Sequence, residues 1–194
     1  MNAPANNARV TSAKIVVAGG FGVGKTTLVG SVSEITPLTT EAIMTSASEG
    51  VDNNNLVPDK GTTTVAMDFG RITIDSELIL YLFGTPGQNR FWFMWDELVR
   101  GAIGAVVLVD TRRLADCFSV VDFFEHRKLP YVVAVNCFDG KQLHDLEDIR
   151  DALQVSSDVP IMYTDARNRE STKQVLIKLV EYVLTMRRTQ TVGV

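Results

Sequence analysis

The sequence predicts an α/β fold: a doubly wound, mostly parallel six-stranded sheet with one antiparallel edge hairpin. Three observations lead there. Residues 105–109 (Ala-Val-Val-Leu-Val) and 131–135 (Tyr-Val-Val-Ala-Val) are unbroken apolar runs, the pattern of parallel strands covered on both faces. Segments of helical spacing separate the strands, and strands alternating with helices imply a doubly wound sheet. Residues 19–26, Gly-Gly-Phe-Gly-Val-Gly-Lys-Thr, form a glycine-rich turn between a strand and a helix. Such sheets bind ligands outside the carboxyl ends of their strands, so the strand-end loops are where function is sought.

Bulk properties narrow the class. A chain of 194 residues suits one well-buried domain, and 45% hydrophobic with 22% charged residues is ordinary for a globular protein. A net charge of −4 and a pI near 5.2 leave no basic stripe to replace counterions, which argues against a nucleic-acid surface. No apolar run approaches the roughly 20 residues needed to cross a bilayer. Residues 1–13 lack the apolar segment of a secretory signal. Asn2 is not the glycine of a myristoyl site, and the end has no cysteine to prenylate, so no lipid anchor is expected. Two cysteines, Cys117 and Cys137, are too few for a disulfide framework and fit a reducing cytoplasm.

Along the chain, residues 1–13 read as a disordered leader and 189–194 as a flexible tail, leaving a single domain over 14–188. Residues 14–18 form a buried strand, and the helix after the glycine-rich turn runs to about Ile35. From 36 to 60 the chain is polar and irregular, with only Glu41 to Ala47 of helical character. Residues 63–75 alternate as a strand, 75–77 turn, and 78–83 return as its hairpin partner. Residues 90–100, 113–128 and 146–153 are helical by spacing, 161–163 make a last strand, and Val175, Leu176, Leu179, Val180, Val183 and Leu184 stripe the closing helix.

Four loops carry chemistry. Gly19 to Thr26 matches G-x-x-x-x-G-K-[ST], in which backbone N–H groups wrap phosphates, Lys25 reaches the β- and γ-phosphates and Thr26 ligates Mg²⁺. A plain glycine-rich turn would have no use for Lys25. The others are Gly84-Thr85-Pro86-Gly87-Gln88, Asn136-Cys137-Phe138-Asp139 and Thr164-Asp165-Ala166, each at a strand end, with Thr62-Thr63-Thr64 leading into another strand.

In order and spacing these loops resemble the Ras-like small GTPases over nearly the whole ordered chain, within the P-loop NTPase fold. The resemblance implies a GTP/GDP switch with Mg²⁺ as cofactor and slow hydrolysis. A nucleotide site would comprise Gly19, Phe21, Gly22, Val23, Gly24, Lys25, Thr26 and Thr27, with Thr64, Asn136, Cys137, Asp139, Asp165, Ala166 and Arg167. Asn136 and Asp139 match the ends of N-K-x-D. Asp139 would accept from the N1–H and amine of guanine, a donor pair that adenine lacks. Cys137 stands where the family has lysine. The Ala166 N–H would meet the guanine O6. In the D-x-x-G-Q counterpart, Gly87 would offer its N–H to the γ-phosphate and Gln88 would orient the attacking water.

Several departures bear on activity. Gly84 replaces the aspartate that holds Mg²⁺ through water, leaving Thr26 and Thr64 as metal ligands. Asp59 or Asp68 is a possible substitute, and weaker Mg²⁺ dependence is expected. Thr64 aligns with the γ-phosphate-sensing threonine, though the interval from Lys25 is unusually long, its surplus lying in an extended switch I segment, 36–63. Phe21 crowds the approach of a partner's arginine; Arg71 or Arg90 could act in cis, but each reads first as a solvated surface residue. Within Arg90 to Trp95, Trp92 or Phe93 should be exposed, because five neighbouring apolar side chains cannot share one helical face. A nucleotide-sensing module without useful hydrolysis is the competing reading, and an ATP-dependent enzyme a third.

The unlipidated ends and G-T-P-G-Q are most similar to the small GTPases of bacterial conservon operons, with MglA-type GTPases more distant. That resemblance implies a roadblock-fold regulator, a sensor-kinase-like protein and a small accessory protein as partners, with a pentapeptide-repeat protein in some operons. It also implies a cytoplasmic location, with recruitment to the membrane through those partners.

Overall fold

The structure, a computed structural model, describes the backbone of residues 10–44, 63–87 and 89–192, and the side chains of 10–38, 67–87 and 92–189. Gln88, Asp59, residues 1–9 of the expected leader and most of the expected switch I segment lie outside the described residues, as do the side chains of Thr64, Arg90 and Phe91.

In chain order the strands are β1 (Thr11–Ala18), β2 (Leu38–Met44), β3 (Thr63–Asp75), β4 (Leu78–Gly84), β5 (Ala102–Val109), β6 (Tyr131–Asn136) and β7 (Ile161–Thr164). The helices are α1 (Lys25–Val32), α2 (Trp95–Val99), α3 (Phe118–Arg127), α4 (Leu146–Leu153) and α5 (Arg169–Val192). They build one sheet in the order β2-β3-β4-β1-β5-β6-β7, parallel from β4 through β7. All six expected strands are present, and β3 with β4 is the expected antiparallel hairpin.

A seventh strand, β2, extends that edge by pairing antiparallel with β3, Leu38 opposite Phe69 and Met44 opposite Thr63. This corrects the sequence expectation of an irregular, partly helical stretch there. Leu38-Thr-Thr-Glu-Ala-Ile-Met44 has no strong alternation, and the ladder offered by the free edge of β3 outweighs its weak local preference. The strand β1 begins at Thr11, inside the 1–13 span expected to be disordered, and α5 continues to Val192 instead of ending in a tail from 189. Two expected helices open as 3-10 turns, Asn89–Met94 before α2 and Thr111–Cys117 before α3.

The pleat of β1 divides the core. Ile15 and Val17 face α1 and α5, meeting Leu28, Val29, Val175, Leu176 and Leu179. Val16 and Ala18 face the other layer, with Trp95, Val121, Phe124, Ile149 and Leu153. From β1 the chain builds toward β4, β3 and β2, then returns to lay β5, β6 and β7 on the opposite side. The strand order therefore reverses between β1 and β5, where a doubly wound sheet opens a crevice.

Candidate functional site

Backbone conformation that only glycine adopts easily shapes the loop after β1. Gly19 has φ of 148°, and a Cβ there would stand 2.4 Å from the Leu108 carbonyl oxygen of β5. Gly24, at φ of 107°, immediately precedes α1, and a Cβ would stand 2.9 Å from the Asn136 amide nitrogen. The first turn of α1 has no side-chain cap and no acidic residue. Its N–H groups and the positive end of its dipole therefore face an anion-binding concavity unopposed.

Lys25 is 8% exposed, and its ammonium donates to the carbonyls of Gly19 (2.9 Å) and Gly20 (2.7 Å). Burial pulls its pKa down to about 8, against the pull of the nearby Asp68 carboxylate, which favours the charged form. Gly87 lies directly over this arrangement, since a Cβ there would come within 2.7 Å of the Lys25 ammonium and 3.0 Å of the Gly20 carbonyl oxygen. Val23 is buried in the core, while Phe21 is 61% exposed at the lip, with Gly22, Thr26 and Thr27 alongside.

The Thr26 hydroxyl donates to Asp68 Oδ2 at 2.7 Å. Asp68 comes from β3 and is buried. A hydroxyl and a carboxylate are the hard oxygen donors that suit Mg²⁺, so the residues present fit that ion. Among the described residues no cluster of three or more metal-ligating side chains exists, so phosphate oxygens would have to complete the coordination. Thr64 is not brought to Thr26. It sits in β3 opposite Ile43, four residues before Asp68, which is about 13 Å of extended strand. The ladder with β2 holds it there.

At the end of β6, buried Asn136 joins three loops. Its amide nitrogen donates to the Val23 carbonyl at 2.9 Å, and its amide oxygen accepts from the Ala166 N–H at 3.1 Å. The Cys137 N–H donates to the Thr164 carbonyl at 2.7 Å, fastening the same loops. The Ala166 N–H, expected to meet a guanine O6, is thus committed to Asn136. Cys137 is buried, and desolvation pushes its thiol up. Asp139 has φ of 57° and an exposed side chain. Arg167 lies 3.8 Å from it and 3.0 Å from Asp165, whose carboxyl the guanidinium holds below the usual range. Both contacts are open to solvent and are weak by that measure.

Two residues that sequence reasoning missed line this edge. Arg113, in the turn after β5, donates toward the Phe21 carbonyl at 3.4 Å and pairs with Asp116 at 2.7 Å. They border a cavity of about 390 Å³ shared with Gly20, Phe21 and Gly87. Arg112 pairs with Asp110 at 2.8 Å and stacks 3.8 Å over the Phe138 ring, bordering a second cavity of about 240 Å³ with Asn136 and Asp139. Their signal was positional: residues 110–113 follow a buried parallel strand at its carboxyl end. Arg71, considered as an arginine acting in cis, lies elsewhere. Its backbone bonds Ser33 and Glu34 beyond the far end of α1.

Comparison with known proteins follows the same outline. A family model described as "Conserved hypothetical ATP binding protein" matches residues 17–186. An uncharacterized protein of Methanocaldococcus jannaschii is 33% identical over 128 residues, 65% of this chain and 70% of that protein. Among solved structures, the G domain of the FeoB iron transporter of T. maritima superposes with a TM-score of 0.61, covering 89% of this chain and 99% of that one. At 19% identity that likeness speaks for the fold alone.

Proposed function

The chain belongs to the family of conserved hypothetical ATP binding proteins and has the fold of a P-loop G domain, and from that premise we propose a GTP/GDP-binding switch with slow hydrolysis. The observation that most supports this reading is the pair of hydrogen bonds made by Asn136, donating to the Val23 carbonyl beside Lys25 and accepting from the Ala166 N–H beside Arg167. It sets a phosphate-gripping loop and a carboxylate-bearing loop at one edge of the sheet. A purine nucleotide has that polarity, with charge at one end and a donor–acceptor edge at the other.

In this reading the α1 N-terminus and Lys25 hold the phosphates, and the Lys25 ammonium offsets charge that develops during phosphoryl transfer. The Gly87 N–H faces the γ-phosphate, and Gln88 positions the attacking water. Thr26 would hold Mg²⁺, which would supply charge neutralisation to the phosphates. Asp139 selects guanine, because facing adenine would leave its carboxylate unpaired, roughly 1–3 kcal/mol of discrimination or more. The family description names ATP, so base choice is the sharpest test. Exposed Phe21 narrows the approach to the γ-phosphate and favours slow turnover, and exposed Phe93 offers a partner an apolar contact.

Mass analysis of nucleotide copurified with the full chain, followed by GTP and ATP titrations, tests the reading. Bound GDP or GTP with at least tenfold preference over ATP supports it, and equal affinities overturn the base assignment. Single-turnover hydrolysis with Gln88→Leu as control separates a switch that hydrolyses from a sensing module that does not. The second is favoured by Phe21 at the lip.

A further inference from the structure

We infer that Asp68, delivered from β3, is the carboxylate that holds the divalent cation at this nucleotide site, and that residue 84 is glycine because Asp68 fills its place. The inference rests on the reading of the loop after β1 as a nucleotide site.

Three observations converge. Asp68 is 7% exposed, and its Oδ2 accepts the Thr26 hydroxyl at 2.7 Å. The antiparallel register pairs Phe69 with Phe83, so Asp68 and Gly84 stand across from each other on one face of the β3–β4 ribbon. A Cβ built on Gly84 would lie 3.0 Å from both the Cβ and the Oδ2 of Asp68. A side chain at 84 would therefore crowd the Asp68 carboxylate, which would have to give way by a few tenths of an ångström. Glycine at 84 leaves that carboxylate where it meets Thr26.

The chemistry follows from the bond. By donating its proton to Asp68, the Thr26 hydroxyl turns its lone pairs outward and becomes a better ligand for a hard cation. Asp68 adds a full negative charge beside it, meeting Mg²⁺ directly or through a bound water. The expectation of weak Mg²⁺ dependence, drawn from Gly84 alone, is replaced by an ordinary one. The carboxylate also sits on a hydrogen-bonded strand, apart from the 85–88 loop, so the grip on the metal does not depend on how that loop is placed.

The test uses the full chain loaded with a fluorescent GDP analogue, and measures its dissociation with Mg²⁺ and with EDTA, and Mn²⁺ binding by electron paramagnetic resonance. Chelation should speed release from the wild type at least tenfold. In Asp68→Asn, which keeps an acceptor for Thr26, that ratio should fall below about threefold and Mn²⁺ affinity should drop roughly 10- to 100-fold. The exchange variant carrying both Asp68→Gly and Gly84→Asp returns a carboxylate to the same space and should recover the chelator response. An unchanged chelator ratio in Asp68→Asn, or a wild type that binds GDP indifferently to EDTA, overturns the assignment. A wild type that binds neither GDP nor ADP removes the underlying nucleotide site instead, and that result appears before any substitution is made.

Discussion

Asn136 carries more of the site's integrity than its size suggests, because its one amide satisfies a buried carbonyl in one loop and a buried N–H in another. In Asn136→Ala both lose their partner, at about 1–3 kcal/mol each. Chemical denaturation should show a loss of roughly 2–4 kcal/mol, with nucleotide affinity down at least tenfold. A loss below about 0.5 kcal/mol would mean that water replaces the amide. Gly24→Ala is expected to act on binding as well as stability. Its φ of 107° is strained for any side chain, and the new Cβ meets the Asn136 amide. Asn136 and Gly24 were both legible as motif positions. Their contact was not, because the two lie 112 positions apart (136 − 24) with strands β2 to β5 between them.

At the scale of elements, the segment from Asn89 to Val99 combines a core and a surface in one stretch. Trp95 is fully buried, stacked on Trp92 at 5.1 Å between ring centroids and edge-on to Phe123 at 5.2 Å. Two positions earlier, Phe93 is 59% exposed. Trp95→Ala should therefore lose about 3–5 kcal/mol in a denaturant titration. Phe93→Ser should change stability by no more than about 0.5 kcal/mol, its effect confined to partner binding in a pull-down. The long helix α5 is tied to the turn before β7 by the Tyr182 hydroxyl, which donates to Asp158 at 3.1 Å. Partial burial and that carboxylate push the Tyr182 phenol up to about 12. A phenol raised in the folded state binds its proton where the unfolded chain has lost it. Its contribution is thus whole below pH 10 and lost as pH rises toward 12. Stability measured across that window should fall less steeply in Tyr182→Phe than in the wild type.

For the whole molecule, any ligand that binds only the folded chain stabilises it by mass action, about 2.7 kcal/mol at a hundred times its Kd. In a domain of this size that is a rise of roughly 5–10 °C in Tm. GDP or GTP at millimolar concentration should produce such a shift, and ATP about half of it or less; a scanning fluorimetry melt with the three nucleotides distinguishes them. The sequence by itself determined the alternation of strands and helices, the doubly wound sheet and the positions of its strand-end loops. Those follow from local patterns, since apolar runs, helical spacing and glycine turns are written within ten residues of one another. The tertiary structure alone decided that residues 38–44 become an edge strand, that Thr64 stays far from Thr26, and that Asp68, not a residue after β4, lies against the Thr26 hydroxyl. Each is a matter of pairing across the sheet, where register between distant segments sets which side chains meet, and no short window of sequence holds that information.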